Sequence, residues 1–174
     1  MSTKLTKKGI PMVESQALKL VIGAAQVHDL TTRYLSKSLI SRGYKTVTPS
    51  ILNFLSTLEC GVNYGSEIAR NLGVSRQMVA KTVKALCRTG YLEQVDGVAK
   101  QKEILFTETG ELLMSDARQI LADIDRVLIK QLGQNTITNT VANLAIIKDV
   151  LAQQNDTQQS TPLDTNYASL HLRQ

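Results

Sequence analysis

Residues 65–92, GSEIARNLGVSRQMVAKTVKALCRTGYL, constrain the fold more than any other stretch of the chain. Ile68, Ala69 and Leu72 form an apolar stripe at helical spacing, and Val79, Val83 and Leu86 form a second one. Between them Gly73 can take the positive φ of a tight inter-helix turn, and Ser75 can cap the following helix through its hydroxyl. Ala69 is small where two helices must cross closely. This spacing of Ala69, Gly73 and Val79 predicts a helix-turn-helix whose second helix projects from the domain. Opposite the buried stripe stand Gln77, Lys81, Lys84 and Arg88, with Arg76 on the flank. That polar and basic face suits a DNA groove. An ordinary helical hairpin would show the same apolar period, so the residues that follow have to decide.

They spell a hairpin. Tyr91-Leu92-Glu93-Gln94-Val95 favours a strand, Asp96-Gly97 is a turn signal, and Ile104-Leu105-Phe106 makes a second short strand. A hairpin directly behind a recognition helix is a wing. Its tip, Val98-Ala99-Lys100-Gln101-Lys102, carries two lysines and no acid, so it can lie against a phosphate backbone. The expectation is a winged helix-turn-helix over 48–106, in a mainly α chain with one small β-hairpin.

The flanks are helical. A long pattern runs from about Glu14 to Ser41 through Leu18, Val21, Ile22, Leu30, Tyr34, Leu35 and Leu39, and Gly43 ends it. Thr48-Pro49 then opens a helix to about Glu59, with threonine as cap and proline in the first turn. After the wing, Thr107 can cap a helix that carries Leu112, Leu113, Ile120, Leu121, Ile124, Val127, Leu128 and Leu132, with Gly110 an oddity in its first turn. A last helix, about Thr136 to Gln153, offers Ile137, Val141, Leu144, Ile147, Val150 and Leu151. Residues 1–13 read as a polar, basic arm, and 154–174 as a polar tail of a composition that builds no core. The end helices, 14–42 and 107–153, are too apolar to stand free. They can bury those faces against each other or against a second copy. A twofold dimer suits a DNA reader, because two recognition helices about 34 Å apart meet successive major grooves on one face of the duplex.

Charge supports this division. The 174 residues carry a net +5, distributed unevenly. Residues 1–48 hold eight Lys and Arg against two acids, 63–106 hold seven against four, and 107–174 hold five against eight. The basic footprint therefore sits on the arm and the winged module, as nucleic-acid binding requires. Aromatics are only 4% of the chain and Trp is absent, so the core must be aliphatic. No apolar run has the length of a transmembrane helix and MSTKLTKKG is no signal peptide, which predicts a cytoplasmic protein without a membrane partner.

This order of elements resembles the MarR family of bacterial regulators over about residues 15–153. The most specific stretches are LGVSRQMVAKTVKALCRTGYL at 72–92 and LFTETGELL at 105–113. The resemblance implies one subunit over 1–174 of a homodimeric transcription factor, expected to repress from a pseudo-palindromic double-stranded operator and to be released by a small molecule or an oxidant. In such regulators effectors enter between the dimerisation helices and the winged module, which here points to His28, Arg33, Tyr34 and Phe54. Three features depart from the family pattern. The wing keeps Asp96 but has no arginine to enter a minor groove, leaving lysine–phosphate contacts. Tyr64 or Gly65 stands where the family has a capping threonine, which makes Asn63 the candidate cap. The 21-residue tail is longer than the pattern needs.

The DNA-contacting set is thus Ser75, Arg76, Gln77, Lys81, Lys84, Arg88, Lys100 and Lys102. Cys60 and Cys87 lack CxxC spacing and read as apolar fillers, although Cys87 lies within the recognition helix where oxidation would disturb docking. His28 has no second ligand at metal spacing, His171 is isolated, and Asp116, Asp123 and Asp125 read as a solvated helix face. No nucleophile elbow, phosphate loop or paired-acid constellation is present, so neither an enzyme nor a cofactor is expected. The rival reading is a winged helix that contacts protein, favoured by the missing wing arginines.

Overall fold

A computed structural model describes residues 15–97 and 101–159. The chain divides into two compact units, residues 1–121 and 122–174. The boundary falls inside a helix.

In the first unit, helix α1 (Gln16–Ser41) starts at Ser15, whose hydroxyl oxygen accepts from the Leu18 N–H at 3.2 Å. Only its C-terminal part is buried, through Leu35, Ser36 and Leu39. Helix α2 (Pro49–Glu59) opens as expected, with Thr48 accepting from the Ile51 N–H at 3.3 Å and Pro49 in the first turn. Helices α3 (Gly65–Leu72) and α4 (Arg76–Arg88) form the helix-turn-helix. Gly73 between them has φ +64°, in the left-handed region that favours glycine, and Ser75 accepts from the Met78 N–H at 3.1 Å. The wing is the antiparallel pair β1 (Leu92–Asp96) and β2 (Lys102–Phe106), in the register Leu92 opposite Phe106 and Asp96 opposite Lys102. Lys102 therefore belongs to a strand and not to the tip where the sequence pattern placed it.

Asn63 does not cap α3. Tyr64 occupies the cap position without a side-chain bond. Asn63 instead ties α3 to the wing: its carbonyl accepts from the Ile104 N–H at 2.9 Å and its amide donates to Glu103 Oε1 at 3.3 Å. Tyr64 adds an isolated bridge to Glu103, so the wing root has a third extended segment beside β2. Edge pairing satisfies backbone groups that a two-stranded ribbon leaves open.

Helix α5 (Glu108–Leu132) begins where Thr107 Oγ1 accepts from the Gly110 N–H at 3.1 Å and donates to the Gly90 carbonyl. The oddity of Gly110 is explained by close approach. A β-carbon there would collide with the Tyr91 carbonyl and lie 3.1 Å from Phe106 Cδ1. Leu113, Met114, Ala117 and Ile120 of α5 join Leu39, Val47, Leu55, Ile68, Leu86 and Leu92 in one core. That core extends beyond 48–106 on both sides. A module of that size is marginal on its own, and each additional fully buried leucine contributes about 1.5–3 kcal/mol.

Asp116, its side chain 39% exposed, does more than face solvent. It accepts from Arg42 Nη1 at 2.8 Å and from the Tyr44 hydroxyl at 2.9 Å, tying α5 to the loop after α1. Burial and this bond to Asp116 push the Tyr44 hydroxyl above its usual pKa. Glu59 and Arg118 form a second ion pair between α2 and α5.

The second unit holds the end of α5, the turn at Gly133 (φ +83°) and helix α6 (Gln134–Gln159). The helix runs six residues past the expected end at Gln153. Val127, Leu132, Val141, Leu144, Ile146, Val150 and Leu151 are exposed in the single chain. Of the apolar face predicted for α6, Val141, Leu144, Val150 and Leu151 are exposed, while Ile137 and Ile147 are half-buried. Among the described residues no helix is long and apolar enough to cross a membrane.

Candidate nucleic-acid interface

Helix α4 turns Val79, Val83 and Leu86 into the core, each 2% exposed or less. At about 100° per residue this leaves Gln77, Lys81, Lys84 and Arg88 on the opposite side and Arg76 on the flank. All five are exposed. The helix contains no acid, and Arg76, Lys81, Lys84 and Arg88 make no ion pair among the described residues. By contrast Arg33, Arg42, Arg118 and Arg126 each hold a carboxylate. The α4 face is thus an uncompensated basic surface on a rigid, capped helix.

The face is not uniform. Gln77 and Arg88 are eleven residues apart, about 16 Å along the axis. Arg76 lies at one end, where a groove of about 440 Å³ separates α4 from the wing, lined also by Ser66, Ala80, Gln94, Gln101 and Lys102. Arg88 lies at the other end, in a different cleft. Sequence reasoning missed two kinds of residue here. Met78 is 56% exposed beside Gln77, readable as an apolar side chain off the buried stripe. Gln94 and Gln101 face the groove only because the hairpin register brings them there.

Ser75 is where it was expected, its hydroxyl oxygen engaged by the Met78 N–H while its own proton stays available to a ligand. Lys102 is not a free cation. It pairs with Asp96 across the wing, which holds the Asp96 carboxyl below the usual carboxylate range. Lys100, at the tip, lies outside the described residues.

The residues expected to line an effector site are dispersed in the single chain. His28, Arg33 and Tyr34 are exposed on α1, with Arg33 paired to Asp29. Phe54 is 4% exposed, and the groove beside it is lined by Ile51, Leu72, Val74, Met78 and Thr82 but by none of those three. Of the thiols, Cys60 is exposed and Cys87 half-buried. Burial, with a smaller contribution from Glu93, pushes the Cys87 thiol up in pKa and away from the reactive thiolate.

No family model and no curated protein sequence matches the chain. Solved structures do. A MarR transcriptional regulator from Methanosarcina mazei Go1 superposes with a TM-score of 0.66 at 14% identity, covering 80% of this chain and 99% of that one. MarR from E. coli in its apo form gives 0.60 at 15% identity, over 78% of this chain and 98% of that one. MepR from S. aureus, in a structure of its complex with DNA, gives 0.59 at 17% identity, over 79% and 99%. The long first helix, the winged helix-turn-helix and the two C-terminal helices described above are therefore those of a MarR-like fold.

Proposed function

We propose that this protein is a sequence-specific regulator of transcription that binds double-stranded DNA as a homodimer at a pseudo-palindromic operator. The observation that carries the reading is the acid-free, unpaired basic face of α4, seated on a buried stripe beside a wing. Gln77 and Arg76 have the paired, planar donor and acceptor groups that read adenine and guanine edges, and Met78 offers an apolar contact of the kind a thymine methyl takes. Lys81 and Lys84 are point charges suited to phosphates. A solved neighbour, S. aureus MepR, is itself a DNA complex.

The dimer follows from the uncovered helices. Leu18, Val21, Ile22, Val27 and Leu30 of α1, and Val141, Ile146, Val150 and Leu151 of α6, are each about half exposed or more. Monomers rarely present apolar surface of that extent, and a second copy related by a twofold axis covers it while supplying a second recognition helix. Repression in a bacterial cytoplasm, with release by a small molecule, completes the reading. His28, Arg33 and Tyr34 then line an effector site once α1 is covered. No catalytic role is proposed.

The experiment is fluorescence anisotropy with DNA from upstream of the protein's own gene, together with sedimentation of the protein. Gln77→Ala should cost about 1–3 kcal/mol at the operator and leave non-specific binding nearly unchanged. Lys81→Ala should weaken all DNA about equally and make the salt dependence shallower by about one unit of slope. One observation favours the rival protein-contact module, namely that Asp96 neutralises Lys102. If both substitutions leave affinity and slope untouched, that rival replaces the DNA reading.

A further inference from the structure

Arg88 has company that α4 does not supply. It shares a cleft of about 670 Å³ with Thr89, with Arg42 and Lys45 of the α1–α2 loop, and with Thr109 of the first turn of α5. Among the described residues no carboxylate lines the cleft. The loop is pinned at two points. Asp116 holds Arg42 and Tyr44, and the Tyr91 hydroxyl accepts from the Lys45 N–H at 2.8 Å while donating to the Lys45 carbonyl at 3.0 Å. Asp116 occupies one nitrogen of Arg42 and leaves other N–H groups of its guanidinium to give. Lys45 and Arg88 make no ion pair, and the Thr109 hydroxyl makes no hydrogen bond, among the described residues.

We infer that this cleft binds a phosphate group. Three cations and a free hydroxyl from three separate segments surround one concavity, and Asp116 cancels only one of the charges. The surplus suits a tetrahedral phosphate, whose several oxygens take charge-assisted hydrogen bonds from different sides, better than a planar carboxylate. The group can come from two sources with the same chemistry. One is a backbone phosphate of the duplex, beyond the part that Gln77 reads. The other is a small phosphorylated metabolite. The second source does not rest on the DNA reading.

The full-length protein is titrated with inorganic pyrophosphate by calorimetry at low salt. The salt dependence of DNA binding is measured in parallel for wild type and Lys45→Ala. Lys45 is exposed and its structural bonds are made by its backbone, so its variants keep the fold. A free-ligand site predicts that pyrophosphate binds wild type and that Lys45→Glu weakens it by about tenfold or more, the loss of one charge-assisted contact. A backbone site predicts no pyrophosphate heat, and a DNA salt slope made shallower by about one unit in Lys45→Ala. The inference is overturned if neither effect is seen, or if pyrophosphate binds Lys45→Glu as well as wild type. Should the protein not bind DNA at all, the pyrophosphate arm decides alone, so the two readings fail separately.

Discussion

Gly110→Ala tests the seating of α5 on the wing. The added methyl would be driven into the Tyr91 carbonyl oxygen, 3.0 Å from the carbonyl carbon and 3.1 Å from Phe106 Cδ1. The carbonyl cannot swing aside at no cost, because it accepts the Thr107 N–H at 3.1 Å while the Tyr91 N–H bonds Leu86 at 3.0 Å. The first turn of α5 must move outward instead. Overpacking of this kind costs about 1–3 kcal/mol, and the strained Thr107 bond adds about 1 kcal/mol. Alanine returns about 0.5–1 kcal/mol through its better helix propensity. The balance is a loss of about 1–3.5 kcal/mol. With a urea dependence of about 2 kcal/mol/M, the middle of the usual range, the midpoint of unfolding should fall by about 0.5–2 M. The comparison requires one fixed protein concentration, since an oligomer's midpoint moves with it. Thr109→Ala, in the same turn and exposed, should stay within about 0.5 kcal/mol of wild type. A midpoint unchanged in Gly110→Ala would refute the close approach of α5 to Tyr91.

Three further outcomes follow from the geometry. Because the folded-state pKa of Tyr44 is raised, its contribution is complete below the unfolded value near 10.0 and is lost as pH climbs through the folded value. Urea midpoints measured from pH 9 upward should show that alkaline loss in wild type, and Tyr44→Phe should lack this component. Asp96→Asn should release Lys102, strengthening binding to arbitrary DNA and steepening its salt slope by about one unit; an unchanged slope would show that Lys102 does not reach phosphate. Cys60, exposed, should react with a thiol reagent well before the half-buried Cys87 at neutral pH, and the reverse order in a labelling time course would reopen Cys87 as an oxidant sensor.

Local chemistry was legible in the chain, because its causes lie within a few residues. Gly73 makes a turn, Ser75 and Thr48 cap helices, Pro49 opens one, and the period of Val79, Val83 and Leu86 chooses a buried face. Those choices decide which side of α4 carries Gln77, Lys81 and Lys84, so the centre of the candidate interface could be read without coordinates. What the tertiary structure alone decided are the partners contributed by distant segments. Asp116 looks like a solvated helix acid until it meets Arg42, 74 residues away. Asn63 looks like a cap until β2 passes beside it, 40 residues on. Gly110 has no local reason to be glycine; the Tyr91 carbonyl is the reason. Lys102 counts as a free cation until hairpin register sets it opposite Asp96. Arg88, which the helical wheel groups with Gln77, joins Arg42 and Lys45 instead. Helical and turn signals depend on neighbours in sequence, whereas ion pairs, close approaches and clefts depend on which segments the burial of Leu39, Leu55, Leu86 and Leu113 in one core brings side by side.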